Sequence, residues 1–151
     1  MSGPSFRFSL ERVRALRERA EDTAREALAG AIQDHARTQV AMEQAAQAVL
    51  EARDAQLQVT SAPVVGAELL ARQAYLERSE RDHRASLDAV SRSEIRVAQH
   101  RHTLTEAARN RQALERLKEH RRSDFEREQA RLESIVLDEV ALNNFRRRDA
   151  A

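Results

Sequence analysis

The 151-residue sequence contains no cysteine and no tryptophan, and it has only 3 glycines, 2 prolines and 3% aromatic residues. Each shortage excludes something. Without cysteine there is no disulfide framework and no thiol chemistry, which suits a reducing cytosol. So few large apolar side chains cannot fill a compact globular core. Three scattered glycines cannot make a phosphate-cradling loop. No apolar run approaches the roughly 20 residues of a membrane span. The opening MSGPSFRFSLERV also lacks the continuous apolar stretch of a signal peptide. A soluble, cytoplasmic protein is expected.

What the chain does have is charge, 34% of its residues, with a net of only +1, set among Ala, Leu, Arg, Gln and Glu. These are strong helix formers, and the composition is that of a long helix or coiled coil. High charge with few aromatics also suits disorder, but a near-zero net charge and periodic apolar spacing argue against it. With 26 basic residues matched by 25 acidic ones, no global field draws the chain to nucleic acid. Aromatics for base stacking are missing as well. Lys118 is the only lysine; every other basic residue counted there is arginine.

Only TSAPVVGAE, residues 60 to 68, carries helix-breaking punctuation in the interior. Pro63 lacks an amide donor and disfavours helical geometry at Ala62. Gly66 follows, and Glu68 suits the first turn of a new helix. Before the break, Leu10, Val13, Leu16, Ala20, Ala24, Ala27, Ala31, Thr38, Ala41, Ala45, Val49, Ala52 and Val59 keep a three-four spacing, interrupted by Asp34 and His35. After it, Leu69, Leu76, His83, Val90, Val97 and Leu104 recur at seven-residue steps. That stripe then drifts through Ala107, Leu114, Leu117, Phe125, Leu132 and Ile135, which predicts a register slip near residue 107.

Such spacing indicates a coiled coil, and one short loop makes its helices antiparallel neighbours. The expected fold is therefore all-α. It is a long antiparallel two-helix coiled coil, an α-helical hairpin, with an unpaired C-terminal helical overhang. Residues 1–151 form this single coiled-coil hairpin, with helix 1 over about 9–60, the turn over about 61–67 and helix 2 over about 68–148. At helical rise the second helix outruns the first by about 25 residues, so LDEVALNNFRRR, residues 137 to 148, falls wholly in the overhang.

Chemistry is scarce. His35, His83, His100, His102 and His120 include no i,i+4 pair, so no metal site is expected. A two-helix rod encloses no pocket to shift pKa values or hold a cofactor, and no catalytic residue is identified. His83 reads as a tolerated polar interruption of the seam. The candidates for binding are the two ends of the chain. FRFSLERVRALRERAE concentrates Phe6, Phe8, Leu10, Val13 and Leu16, although an ordinary start of the seam accounts for them equally well. Leu137, Ala141 and Phe145, flanked by Val140, Asp138, Glu139 and Arg146, form a stripe that nothing in one chain covers. Such a helix end suits a socket on another protein, although a self-pairing tail has the same pattern.

The stretch FRFSLERVRALRERAEDTAREAL resembles the amino-terminal pattern of the flagellar export protein FliJ family. LDEVALNNFRR resembles that family's closing signature: an acidic pair, then Ala, then Phe-Arg-Arg. With the length and the single turn, the resemblance covers essentially the whole chain. It implies a non-enzymatic, two-helix stalk similar to the central stalk of rotary ATPases, without cofactor. It further implies contact with the hexameric flagellar export ATPase, the cytoplasmic domain of the membrane-embedded export gate and export chaperones, at the inner face of the cell membrane.

Carried over by position, ATPase-binding residues would be Phe6, Phe8, Leu10, Val13 and Leu16 with Leu137, Asp138, Glu139, Ala141, Phe145 and Arg146. Gate contacts would be Tyr75, Leu76 and His83. The alternatives are the equivalent stalk of a virulence-type secretion system and a self-associating coiled-coil spacer.

Overall fold

A computed structural model describes residues 5–58 and 65–149. They form two helices, α1 (Glu11–Leu57) and α2 (Gly66–Asp149), with no strand among the described residues. The all-α expectation holds, with bounds shifted by a few residues. Helix 1 begins at Glu11 after a turn at Ser9 and Leu10, and helix 2 begins at Gly66. Most of the expected turn, with Pro63, lies outside the described residues. Gly30 does not interrupt α1, and a Cβ placed there would meet nothing within 4 Å.

The end of α1 and the start of α2 each have partners beyond their own helical hydrogen bonds. The amides of Glu68 and Leu69 donate to the Val65 carbonyl at 2.9 and 3.3 Å. Glu68 adds a favourable acid to the first turn of α2. No basic residue lies in the last turn of α1, yet its terminal carbonyls need donors. Arg72, on α2, supplies one: Nη1 donates to the Ala55 carbonyl at 2.8 Å while Nη2 holds Glu68.

The chain divides into two compact units, one joining the part up to Glu21 with the part from Ala107 on, the other spanning Asp22–Glu106. In the Asp22–Glu106 unit the pairing is antiparallel, since rising positions in α1 meet falling positions in α2: His35 with Ser93, Arg53 with Glu80, Gln56 with Gln73. Burial there follows a three-four spacing. On α1 the inward positions include Ala24, Leu28, Ala31, His35, Thr38, Met42, Ala45, Val49, Ala52 and Gln56, with Ala46 and Ala48 half-buried beside them. On α2 they include Leu76, Ser79, His83, Ser86, Val90, Ser93, Val97, His100 and Leu104.

Half of the α1 expectation needs correction. The row Ala24, Ala31, Thr38, Ala45 and Ala52 faces inward as expected, but Val13, Leu16, Ala20, Ala27 and Ala41 are exposed. Arg14, Glu21, Leu28, His35 and Met42 occupy the complementary row instead. An apolar search passes over that row because three of its members are charged or polar. The predicted slip near residue 107 also disappears. Half-buried positions continue at seven-residue steps through Leu104, Arg111, Lys118 and Phe125, with Ala107 and Leu114 in the companion row. The apparent drift arose because two steps of one row are filled by cations.

Serine is the inward residue that apolar periodicity misses altogether. Ser79, Ser86 and Ser93 stand seven apart in α2, and Ser93 is only 1% exposed. Its hydroxyl donates to the Val90 carbonyl at 2.7 Å, and that of Ser86 to the His83 carbonyl at 2.7 Å. Back-bonding of this kind satisfies a hydroxyl within its own helix. It leaves Ser93 Oγ to accept from His35 Nδ1 at 2.8 Å, with Thr38 Oγ1 at 3.0 Å. No buried side-chain polar atom among the described residues lacks a partner. Small residues on both helices thus let the backbones approach closely.

Ser93→Leu should overfill this layer and lower stability by about 1–3 kcal/mol, measured by thermal or urea melting. A loss no greater than that of Ile95→Leu, on an exposed face, would show that the layer is not tightly packed.

Candidate functional site

The expected ATPase-binding residues all belong to the unit formed by the two ends of the chain, where they fall into an inward and an outward group. Phe6 packs against Phe125 with ring centroids 5.8 Å apart and planes tilted by 50°. Phe8 is 8% exposed, and its carbonyl accepts from the Glu11 amide at 3.2 Å as α1 begins. Leu10 is half-buried. These three residues close the seam, so they are internal packing rather than free contact surface. Val13 and Leu16, one helical step apart, face outward, Leu16 at 63% exposure.

Charges fill the rest of this seam. Arg14 donates to Glu11 on its own helix at 2.8 Å and to Glu115 of α2 at 2.9 Å. Lys118 donates to the other Glu11 oxygen at 2.9 Å, and Arg111 to the buried Glu21. The guanidinium of Arg14, then the ammonium of Lys118, holds the Glu11 carboxyl below its ordinary pKa. Glu11 and Glu115 in turn push Arg14 up, and Glu21 pushes up Arg111. Ser9 Oγ accepts from Arg121 at 3.3 Å across this unit.

Beyond Gln129, every described side chain from Ala130 to Arg147 is exposed. Leu137 is 68% and Phe145 64% exposed, and Asp138, Glu139, Ala141 and Arg146 are exposed with them. The overhang is richer in apolar residues than the expected stripe. Ile135 and Leu142 with Leu132 continue the seven-residue rows of the seam, now without a facing helix. Val136 and Val140 form a third row. At 100° per residue the three rows lie about a third of a turn apart, so every side of the helix carries apolar side chains, with charged and amide side chains set among them. Val136 and Leu142 escaped the search for a single stripe, although their spacing from Leu132, Ile135 and Val140 was readable.

The three expected gate residues separate in the other unit: Tyr75 is exposed, whereas Leu76 and His83 are half-buried seam positions. Among the described residues no group of His, Cys, Asp and Glu could hold a metal ion. Neither helix, over the described residues, is long and apolar enough to cross a membrane.

Two outcomes separate the inward from the outward phenylalanines. Phe8→Ala should cost about 3 kcal/mol in unfolding experiments, as for other buried phenylalanines. Phe145→Ala should stay within about 0.5 kcal/mol of the parent. The Glu11 pairs predict a pH dependence of defined sign. A carboxyl with a lowered folded pKa contributes above its ordinary value, about 4.3, and loses that contribution as pH falls through the folded value. The melting difference between the parent and Glu11→Gln should therefore be steady from about pH 8 to about pH 5.5 and shrink progressively as pH falls below about 4.3.

The family model described as Flagellar FliJ protein matches residues 6–150. No curated protein and no solved structure matches the chain. The match spans nearly the whole sequence, and the chain belongs to this family, as a component of the flagellar export apparatus.

Proposed function

We propose that this chain is a non-enzymatic accessory stalk whose exposed helix end enters the hexameric export ATPase. The observation that carries the reading is the overhang with three apolar rows and no cover from Ala130 to Arg147. A surface helix with one apolar stripe lies against one neighbour, whereas apolar side chains on every side of a helix favour its being enclosed. The bore of a ring encloses a single helix in this way, and the exposed Asp138, Glu139, Arg146 and Arg147 are set among the apolar residues to pair with charged loops. Val13 and Leu16 extend the ATPase-facing surface. Phe6, Phe8 and Leu10 support it from within.

A stalk without catalytic groups acts by differential binding. If it binds one conformation of the ATPase more tightly than another, it shifts the ring's populations and thereby paces hydrolysis. Tyr75 is the exposed candidate for the export gate, with Leu76 and His83 shaping the seam beneath it. Chaperones of export substrates are further partners of this reading, which puts the stalk on the cytoplasmic side of the membrane at the flagellar base.

The test is the hydrolysis rate of the export ATPase from the same cell, with the full chain and with a chain ending at Gln129. Stimulation should require the overhang. Leu137→Ala combined with Phe145→Ala should weaken ATPase binding by about tenfold or more while leaving the melting temperature nearly unchanged. Equal stimulation by the full and shortened chains would remove the overhang from the contact.

A further inference from the structure

The row Leu137, Ala141 and Phe145 sets one small residue midway between two large ones, a pattern that can pack against its own copy. In a two-fold pair, residue i of one copy meets j of the other while j meets i. Antiparallel helices related by a two-fold axis at Ala141 would set Leu137 of each copy against Phe145 of its partner. The two Ala141 side chains would meet at the axis, where their size allows close approach. Large and small residues then alternate along the contact, as a packed interface requires.

Charge supports the same arrangement. Glu133 lies on one flank of this row near its start, and Arg147 on the same flank near its end, both exposed. Antiparallel pairing brings each Glu133 within about two residues of the partner copy's Arg147, or about 3 Å along the axis. Parallel pairing would carry this flank of one copy to the far side of the other, so neither Glu133 nor Arg147 would meet an opposite charge from this flank. The row that continues the seam fails this test. With Ile135 against Leu142 of a second copy, Glu139 would face the other copy's Asp138.

We propose that, in the absence of other partners, two copies of this chain pair antiparallel through Leu137, Ala141 and Phe145 of their overhangs. The pairing concerns the chain alone and stands whether or not the overhang also enters an ATPase. Should both hold, the two associations compete for one row, and engaging the ATPase separates the pair.

The chain has no cysteine, so a single introduced thiol reports its own neighbour. Full-length Ala141→Cys should form a disulfide-linked dimer under mild oxidation. Asn143→Cys, on the opposite side of the same helix, should cross-link far more slowly. Analytical ultracentrifugation of the unmodified chain, from about 1 µM to about 1 mM, should show a shift from one-chain to two-chain mass. Glu133→Arg or Arg147→Glu alone should raise the midpoint of that shift about tenfold, and the two substitutions together should restore it. Equal cross-linking at positions 141 and 143, or one-chain mass across the whole range, would overturn the pairing and leave the row to a different protein.

Discussion

Close approach of two helices through small side chains is the constraint on which the paired parts of this protein depend. Ala24, Ala31, Ala45 and Ala52 on α1 and Ser79, Ser86 and Ser93 on α2 bring little apolar area each. What they permit is dispersion contact between backbones and the stems of Leu28, Met42, Val49, Leu76 and Val97. A serine serves as well as an alanine there only because its hydroxyl can bond back to its own helix, as Ser86 and Ser93 do. Close packing also explains how a chain so poor in aromatics orders so much of its length. It is a geometry that tolerates little enlargement.

The seam differs in kind between the units. Between Asp22 and Glu106 small and apolar residues alternate with uncharged polar ones and histidines, and His35, Thr38 and Ser93 form a hydrogen-bonded layer. In the unit made by the chain's ends, Arg14, Glu21, Arg111, Glu115 and Lys118 meet across the helices. Half-exposed ion pairs add little net stability. Their larger effect is on alternatives: a one-heptad shift that set Leu104 in place of Arg111 would bury the Glu21 carboxylate against an apolar side chain, which is costly. The aromatic contact of Phe6 and Phe125 then closes this unit.

Composition and spacing were enough to read two helices, their antiparallel order, the region of the turn and the uncovered end. Which residues line the seam was only half readable. The alanine row stood out because its members are apolar at seven-residue steps. The companion row was hidden because Arg14, Glu21 and His35 on α1, and Arg111 and Lys118 on α2, are residues that hydrophobic patterning assigns to solvent. Their partners lie many positions away on the other helix, and no local signal identifies them. The same limitation made Val13 and Leu16 look like seam and made a continuous register look like a slip. At the site, the outward face of Leu137 and Phe145 was readable from helix lengths. The inward role of Phe6 and Phe8 depended on residues 5–8 running on along α2 before α1 begins.

The preference for arginine reaches beyond ion pairing. The chain's one lysine, Lys118, is committed to Glu11 inside the seam, while the overhang presents guanidinium groups and carboxylates but no side-chain amine. Lysine acetylation, which switches off a surface cation, therefore has no target side chain in the overhang. The one lysine it could reach is the one whose neutralisation would loosen the seam.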